Sequence, residues 1–198
     1  MASAVSICNL ALSHVDSEGI IEDLDPTLGE EERVCSLFYD VLRKQLLTSH
    51  AWSFATEMVS LTLTTHTPLD TRWAYAYQYP GRCLKFNRIV NQADPDTKIP
   101  YIIMRDTTEI QLILTNEQNA IGEYIIDIED PNEFDATFEL ALSWLIASHI
   151  ATPLTGSSDK RQHALNMYAG LLPVAKIKDA NEIEDQPEPQ ASWIDARL

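Results

Sequence analysis

A chain of 198 residues with a formal net charge of -16 is strongly acidic and long enough for one compact core. At this size a globular chain buries roughly 70% of the surface that its unfolded form exposes. A surface this acidic does not hold a polyphosphate backbone by charge, so the composition argues against a nucleic-acid-binding protein.

The cysteines and the start of the chain bear on the compartment. The sequence opens without a cationic segment followed by an apolar one, so we expect no secretory signal. Cys8, Cys35 and Cys83 are odd in number and far apart in the sequence. Such a set does not indicate a disulfide framework. We therefore expect the chain to fold in a reducing cytoplasm.

Two amphipathic helices are predicted in the first part of the chain. Ser3 is placed to cap a helix that runs to about His14. After an acidic loop, Thr27 and Glu30 have the spacing of a capping box, which predicts a second helix from Leu28 to Ser49. Its expected buried stripe consists of Val34, Phe38, Val41, Leu42 and Gln45.

A strand-rich segment follows the second helix. From Met58 the hydrophobic period changes to two, which predicts a half-buried strand with Val59, Leu61 and Leu63 on its inner face. Four further segments are rich in β-branched and aromatic residues, and short connections join them, so we expect one antiparallel sheet of about five strands. The four segments are Cys83 to Val90, Ile99 to Met104, Glu109 to Leu114 and Glu123 to Ile128.

A largely apolar helix is predicted from Asn132 to Thr152, with Asn132 as its N-cap. No charged residue stands between Glu139 and Asp159, so the second half of the helix should be buried on most sides. Polar residues and Pro153 interrupt the apolar run, whereas a membrane span needs about 20 predominantly apolar residues. We expect this segment to be the central helix of the core and the protein to have no membrane partner.

A fourth helix is predicted after Pro153 and Gly156, which should break the chain. Ser157 or Ser158 would cap this helix, and Pro173 would kink it. Beyond about residue 179, acidic residues and prolines leave little to bury. The chain is thus predicted to be an α+β protein with a four-helix bundle core, an inserted sheet and an extended C-terminal tail. The predicted boundaries are 1–56 and 131–178 for the two helix pairs, 57–130 for the insertion and 179–198 for the tail.

No common catalytic or ligand-binding motif occurs in the sequence. We therefore expect no enzymatic activity, no cofactor and no metal. His149 has no second ligand one helical turn away and is interpreted as a core residue. The acid pairs Asp23/Asp25 and Asp127/Glu129 are interpreted as solvated turns rather than acid-base pairs.

Charge is unevenly placed along the chain. Residues 1–32 and 106–159 contain acids but no Lys or Arg, whereas residues 33–105 carry a net positive charge. This segregation suits contact between the basic part of one copy and an acidic part of another. Solvation of each charged run is an equally simple interpretation.

Within the basic part, four aromatic residues between Trp73 and Tyr79 precede a strand that bears cations. Clusters of aromatic residues and arginine are typical of contact surfaces. We predict that the basic residues of this region, Arg72, Arg82, Lys85 and Arg88, meet an acidic surface of another chain. Stacking of the aromatic residues on nucleic-acid bases, or their packing against the second and third helices, are the alternatives.

Three segments in order resemble the head-to-tail adaptor proteins of short-tailed bacteriophages, the tail tubular protein A family. They are Ala51-Trp52-Ser53-Phe54-Ala55, then Trp73-Ala74-Tyr75-Ala76-Tyr77 with Pro80 and Cys83-Leu84, and finally Ser192-Trp193-Ile194-Asp195-Ala196-Arg197. The order of helices, strand-rich insertion, helices and tail is similar too. The resemblance covers nearly the whole chain.

The resemblance implies a structural virion protein that is assembled in the host cytoplasm. It would form a ring of about twelve copies between the portal protein and the tail nozzle protein. DNA would pass through the ring without specific binding. From the net charge of the chain we predict, separately, that acidic residues dominate the lumen and repel the DNA. The family's C-terminal segment reaches onto a neighbour or the portal, so Trp193, Ile194 and Arg197 are the predicted docking residues.

Two alternatives stay open at this stage. Another tail-completion or stopper protein of the virion would show the same pattern of helices without catalytic motifs. A small hydrolase would use His14 or His66 with a nearby acid.

Overall fold

The fold is described from a computed structural model, for residues 2–17, 19–65, 68, 70–94, 97–105 and 110–182. These residues form an α+β structure of four α-helices and six strands. The helices are α1 (Ala4–His14), α2 (Glu30–Thr48), α3 (Ala136–Thr155) and α4 (Ser158–Glu182), and the strands are β1 (Thr56–Ser60), β2 (Tyr75–Gln78), β3 (Cys83–Val90), β4 (Tyr101–Arg105), β5 (Gln111–Thr115) and β6 (Ile121–Ile126).

The predicted start of α1 is confirmed. Ser3 accepts a hydrogen bond from the amide of Ser6 at 3.0 Å, and the Ser6 hydroxyl accepts one from the amide of Ser3 at 2.9 Å. This reciprocal pair satisfies two backbone donors that the first helical turn leaves without partners. The helix ends at His14 and buries Ile7, Cys8, Ala11 and Leu12.

The predicted capping box of α2 is wrong. The amide and hydroxyl of Thr27 both donate to Asp25, at 2.9 and 2.7 Å, so Thr27 belongs to the preceding turn. Gly29 takes the N-cap position without a side-chain bond, and three glutamates in the first turn interact favourably with the helix dipole instead.

The buried face of α2 also differs from the predicted stripe. Val41 is 62% exposed and Gln45 is exposed, whereas Val34 and Leu42 are buried as predicted. Apolar residues lie on both sides of this helix, so their spacing alone does not define which side faces the core. The residues of α2 that are buried are Val34, Cys35, Tyr39, Leu42, Arg43, Leu46 and Leu47.

Helix α3 is the central helix, as predicted, and it packs against α1, α2 and α4. It begins later than predicted because Asp130 caps a separate 3₁₀ turn, Pro131–Glu133, by accepting from the amide of Asn132 at 2.9 Å. Asn132 is therefore not the N-cap of α3. Pro153 lies in the last turn and does not end the helix, which stops at Gly156 with a left-handed φ of 66°.

The strands form two antiparallel sheets of three strands each instead of one sheet of about five. The orders are β1-β6-β3 and β2-β5-β4, and β2 was not predicted as a strand. A cluster that includes Tyr77, Phe86 and Ile113 packs together residues of both sheets. Of the three residues predicted to be buried in the first strand, only Leu61 is buried. Val59 and Leu63 are 38% and 57% exposed.

Helix α4 continues through Pro173 to Glu182, so the first four residues of the predicted tail are helical. Asp179 lies within this stretch and is buried rather than solvated. The kink at Pro173 stays a prediction. Residues 183–198, which make up the rest of the predicted tail, lie outside the described residues.

Candidate interaction surface

Arg72 precedes β2 and is paired within its own chain. Its guanidinium lies 2.7 Å from Asp70, and the Arg72 side chain is 80% exposed. The hydrogen bonds from Arg72 lower the pKa of Asp70 below its ordinary value. Exposed pairs of this kind contribute little to stability, so Arg72 is available to an acidic partner only in competition with Asp70.

Arg82 and Lys85 lie near the start of β3, and both are exposed. Arg82 donates to the backbone carbonyl of Asp127 at 3.1 Å, and Lys85 donates to that of Thr48 at 3.2 Å. Lys85 thereby binds a carbonyl at the C-terminal end of α2, where a positive charge is favourable. Backbone carbonyls are neutral, so these two hydrogen bonds do not themselves neutralise either side chain, although Arg82 also lines a groove with the acidic residues Asp127 and Glu129.

Arg88 differs from the other predicted contact residues because its partner is nearly buried. The Nε atom of Arg88 lies 2.8 Å from Glu123, whose side chain is 10% exposed. The two residues face each other across the β3–β6 ladder. Reversing the charge of Arg88 would place two carboxylates together, so this change would disturb the fold as well as any contact surface.

Part of the charge segregation in the sequence is thus used inside the chain. The acidic part supplies Glu123 on β6 and Asp127 just after it, and the basic part supplies Arg88 on β3 and Arg43 on α2. Strand pairing of β3 with β6 brings the two parts together. The segregation is therefore not by itself a sign of contact between copies.

The aromatic segment packs between the sheets and not against α2 and α3. Tyr77 is 2% exposed, lies in the cluster shared by both sheets and donates from its hydroxyl to the carbonyl of Glu117 at 2.9 Å. Tyr75 and Trp73 are half-buried. The alternative prediction, that these aromatic residues pack on α2 and α3, is therefore wrong. Most of their surface packs in the core of the strand-rich insertion.

The structure exposes apolar residues that sequence spacing did not single out as contact surfaces. Leu37 and Val41, one turn apart on α2, are 60% and 62% exposed. Val174 and Ile177, one turn apart on α4, are 57% and 62% exposed. Side chains three or four positions apart cover one helix face, so each pair forms a continuous apolar patch. We call these the α2 patch and the α4 patch.

His14 does not have the geometry of a general base. Its ring stacks on Trp144 with centroids 3.6 Å apart, and its Nε2 lies 3.2 Å from the hydroxyl of Ser143. That hydroxyl already donates to the carbonyl of Leu140 at 2.8 Å, so His14 must donate to Ser143 and cannot accept its proton. Burial, and then the nearby His163, lower the pKa of His14. His66, the other histidine considered, lies outside the described residues.

A second group of serine, histidine and acid is structural. Asp179 accepts hydrogen bonds from the amide and the hydroxyl of Ser53, at 2.8 and 2.7 Å, and lies 3.2 Å from Nε2 of His50. In a catalytic triad the histidine lies between the nucleophile and the acid. Here the carboxylate lies between them. The group therefore joins the end of α4 to the chain segment before β1.

The residues predicted to lie in solvated turns or in the core can be located as well. The prediction of a solvated turn is wrong for Asp127, whose side chain is 19% exposed and pairs with the buried Arg43, whereas Glu129 is exposed. Both line an open groove of about 590 Å³ together with Arg82, Asp130 and Glu133. Asp25 caps its own turn. His149 is half-buried against Phe38, with ring centroids 5.3 Å apart.

The described cysteines and acidic side chains were considered as possible metal ligands. Cys8 and Cys35 are far apart in sequence, but both are buried, and their hydrogen bond together with burial raises the pKa of the Cys8 thiol. Within the ranges given above, no three His, Cys, Asp or Glu side chains cluster as a metal would require. Among the same residues, no helix has the length and apolar character of a membrane span.

Comparison with known proteins adds no assignment. No protein family matches the chain, and no curated protein matches it. Trp193, Ile194 and Arg197, the predicted docking residues, lie outside the described part of the chain. Their role and the resemblance to head-to-tail adaptors stay predictions.

Proposed function

We propose that this protein is a structural component of a bacteriophage virion, a head-to-tail adaptor. It forms a ring of about twelve copies between the portal and the tail nozzle, and DNA passes through the ring without specific binding. The proposal starts from the three sequence segments that resemble the adaptor family. It assigns the protein no reaction, and its partners are copies of itself, the portal protein and the nozzle protein.

The observation that carries the proposal is the presence of two unlike apolar patches on different helices. In a ring, each subunit presents one surface to a different surface of its neighbour. The α2 patch and the α4 patch meet this requirement, because α2 and α4 both pack on α3 and each exposes an apolar pair away from it. Burying one large apolar side chain contributes about 1.5 to 3 kcal/mol, so four such residues would contribute substantially to each contact.

Charge supports the same arrangement. Arg82 and Lys85 are exposed and donate their hydrogen bonds to backbone carbonyls, so both side chains can also bind a carboxylate of a neighbouring chain. The protein as a whole carries a net charge of -16, which would repel DNA inside a ring and keep it mobile.

Assembly on a portal ring tests the proposal. The purified protein would be mixed with a portal ring, and the complex would be imaged by electron microscopy. We expect a ring of adaptor subunits on the portal. Binding to a tail tube instead of the portal would favour a tail-completion or stopper protein, and binding to neither would contradict a role in the virion connector.

Substitutions on the two patches test how the ring is held together. Leu37→Glu and Val174→Glu should prevent ring formation while the circular dichroism of the free protein stays unchanged, because both sites are exposed. Gln162→Glu and Ala169→Glu place the same charge at exposed positions of α4 outside both patches and serve as controls. Equal assembly of all four variants would contradict the patch assignment.

A third test concerns the basic residues. Reversing Arg82 and Lys85 to Glu should weaken binding to the portal or to a neighbour without unfolding the monomer, since both side chains are exposed. Arg88 is unsuitable for this purpose because its partner Glu123 is nearly buried. Unchanged assembly of the double variant would discard the contact role of the basic residues.

A further inference from the structure

A groove of about 640 Å³ lies between β3 and the start of β4. Its charged lining residues are Arg88 and Lys98, and none of its described lining residues is acidic. Its apolar lining residues are Ile89, Ile99, Pro100 and Tyr101. We call it the β4 groove. Binding sites are typically concave spaces of this size, with apolar walls and a few polar groups that fix the orientation of what binds.

The walls of the β4 groove are held by contacts between the two sheets. An isolated backbone bridge joins Ile89 of β3 to Ile99, just before β4. The hydroxyl of Tyr101 donates to the carbonyl of Asn87 at 3.1 Å, so the two strands are linked at a second point. The register of β3 along β6 is irregular between Phe86 and this part of the strand. Irregularities of this kind redirect side chains, and they are common beside binding sites.

Both cations of the groove can bind a further carboxylate. Lys98 is exposed and has no ion-pair partner within the described ranges. Arg88 uses its Nε atom for Glu123, at 2.8 Å, and its side chain is 49% exposed. A guanidinium has five N–H donors, so those at the end of the Arg88 side chain remain for a partner. The β4 groove therefore suits an apolar side chain that is flanked by carboxylates.

The loop between α1 and α2 presents a side chain of this kind. Ile20 is 82% exposed, whereas the next residue, Ile21, is 2% exposed and belongs to the core. The amide and the carbonyl of Ile21 both bond to the side chain of Asn9, each at 2.9 Å. Ile20 is thus held at the surface before a partner binds. Such preorganisation reduces the entropic cost of binding.

Two carboxylates lie beside Ile20. Glu22 is two positions further along the loop and is exposed. Glu31, in the first turn of α2, approaches the backbone of Gly19 so closely that a Cβ atom there would lie 2.8 Å from its Oε1 atom. Neither carboxylate has an ion-pair partner among the residues that the structure describes. An apolar side chain with two carboxylates complements an apolar groove with two cations.

We propose that Ile20 of one copy binds in the β4 groove of a second copy. Glu22 then faces Lys98, since these are the exposed charges without an ion pair on either side of the contact. Ile20 does not line the groove of its own chain, and Asn9 holds its loop in place, so the partner is another chain. That this chain is a second copy rests on the proposed function. The loop and the groove are different surfaces of one subunit, so the contact can repeat from copy to copy around a ring.

Cysteine cross-linking tests this contact in the free full-length protein. Ile20→Cys keeps a small apolar side chain, and Thr97→Cys places a thiol in the groove lining. The two variants would be mixed at about 1 mM, where a weak contact is populated, with oxidised glutathione, which is reduced as the disulfide forms. We expect a cross-linked dimer that contains a 20–97 disulfide, identified by mass spectrometry.

The single variants and the natural sequence are the controls. Each variant alone should give no more dimer than the natural sequence, because the contact joins two unlike surfaces. The natural sequence also controls for Cys8, Cys35 and Cys83. Equal dimer yields in the mixture and in the single variants would overturn the proposal.

Charge reversal tests which residues face each other. Glu22→Lys, added to the Ile20→Cys protein, should lower the yield of the 20–97 disulfide about two- to fivefold, because an exposed attraction becomes a repulsion. Lys98→Glu, added to the Thr97→Cys protein, should restore the yield when the two are mixed. Glu182→Lys, at the end of α4, makes the same charge change away from the loop and should leave the yield unchanged. A yield that Lys98→Glu does not restore would overturn the pairing of Glu22 with Lys98.

The result is independent of assembly on a portal. A ring on the portal without a 20–97 disulfide would overturn this inference and leave the proposed function intact. A 20–97 disulfide without a ring on the portal would support the contact between copies and contradict the role as an adaptor.

Discussion

The guanidinium of Arg43, on α2, lies 2.5 Å from the carboxylate of Asp127, just after β6, although 84 residues separate them in sequence. The Arg43 side chain is only 2% exposed, and it also donates to Asp40 at 2.6 Å and to the carbonyl of Ile128. Burial acts to lower the pKa of Arg43, but the bonds to Asp40 and Asp127 raise it overall, so the residue stays charged. This contact fixes the end of the strand-rich insertion against the N-terminal helix pair.

Replacing Arg43 should therefore be strongly destabilising. Arg43→Ala leaves the carbonyl of Ile128 without its buried donor and Asp127 with only Lys44, 3.5 Å away, and breaking a buried ion pair costs at most about 3 to 5 kcal/mol. Urea denaturation would measure the free energy of unfolding. Arg33→Ala is the matched control on the same helix, because Arg33 pairs with Glu30 at the surface and its loss should cost about 1 kcal/mol or less. Similar values for the two variants would contradict a structural role for Arg43.

Two glycines should respond in opposite directions to alanine. A Cβ atom at Gly122, in β6, would lie 2.7 Å from Phe86 and 2.8 Å from Leu61, in the core between the sheets. We expect Gly122→Ala to reduce the free energy of unfolding by about 1 to 3 kcal/mol through overpacking. A Cβ atom at Gly170, on the exposed side of α4, meets nothing within 4 Å. Gly170→Ala should increase stability by about 0.5 to 1 kcal/mol, since alanine favours the helix. Calorimetry on both variants would check the opposite signs.

Much of the fold could be predicted because local patterns specify it. The apolar run of α3 identified the central helix, Ser3 marked the start of α1, and the bounds of β3 were predicted to the residue. The predictions are wrong where one sequence pattern is compatible with two different structures. Thr27 has the spacing of a helix cap, yet its amide and its hydroxyl both donate hydrogen bonds to Asp25 in the preceding turn. A series of short strands does not reveal how many sheets it forms, because pairing is decided by contacts between distant residues.

The contact surface was less predictable for the same reason. The sequence indicated cations such as Arg88, but their partners, such as Glu123, come from a different segment and depend on strand register. The exposure of Val41 could not be predicted either, since apolar residues occur on two sides of α2. Periodicity gives the spacing of an apolar face, whereas the position of α3 decides which face is buried.

Asp179 should hold the end of α4 in place. Asp179→Ala removes the acceptor for both the amide and the hydroxyl of Ser53, and an unsatisfied buried donor costs about 1 to 3 kcal/mol. Hydrogen exchange of the last turn of α4 should accelerate, and the free energy of unfolding should fall. Asp159→Ala, in the exposed first turn of the same helix, should cost about 0.3 to 1 kcal/mol. If both variants lose the same stability, the bond to Ser53 is not important.

The contribution of His14 to stability should fall as the pH is lowered from 7.5 to 5.5, whereas Glu139, whose pKa is raised by burial and then by Asp135, changes stability in the opposite direction at lower pH. Burial, and then His163, lower the pKa of His14 below its ordinary value of 6.5, and burial followed by Arg161 does the same for His149. Between the lowered pKa and 6.5, the unfolded chain binds a proton that the folded chain does not, so unfolding becomes more favourable as the pH falls. Urea denaturation at several pH values would measure this dependence.

Substitution separates the contribution of His14 from that of His149. His14→Phe keeps an aromatic ring against Trp144 but cannot titrate, so the loss of stability between pH 7.5 and 5.5 should be smaller than in the natural sequence. The remaining loss should decrease further in the double variant with His149→Phe. Asp40 and Asp135 have lowered pKa values, so their contribution is lost only at more acidic pH, outside this range. An unchanged pH dependence in His14→Phe would show that His14 is not held neutral by its burial against Trp144 and Ser143.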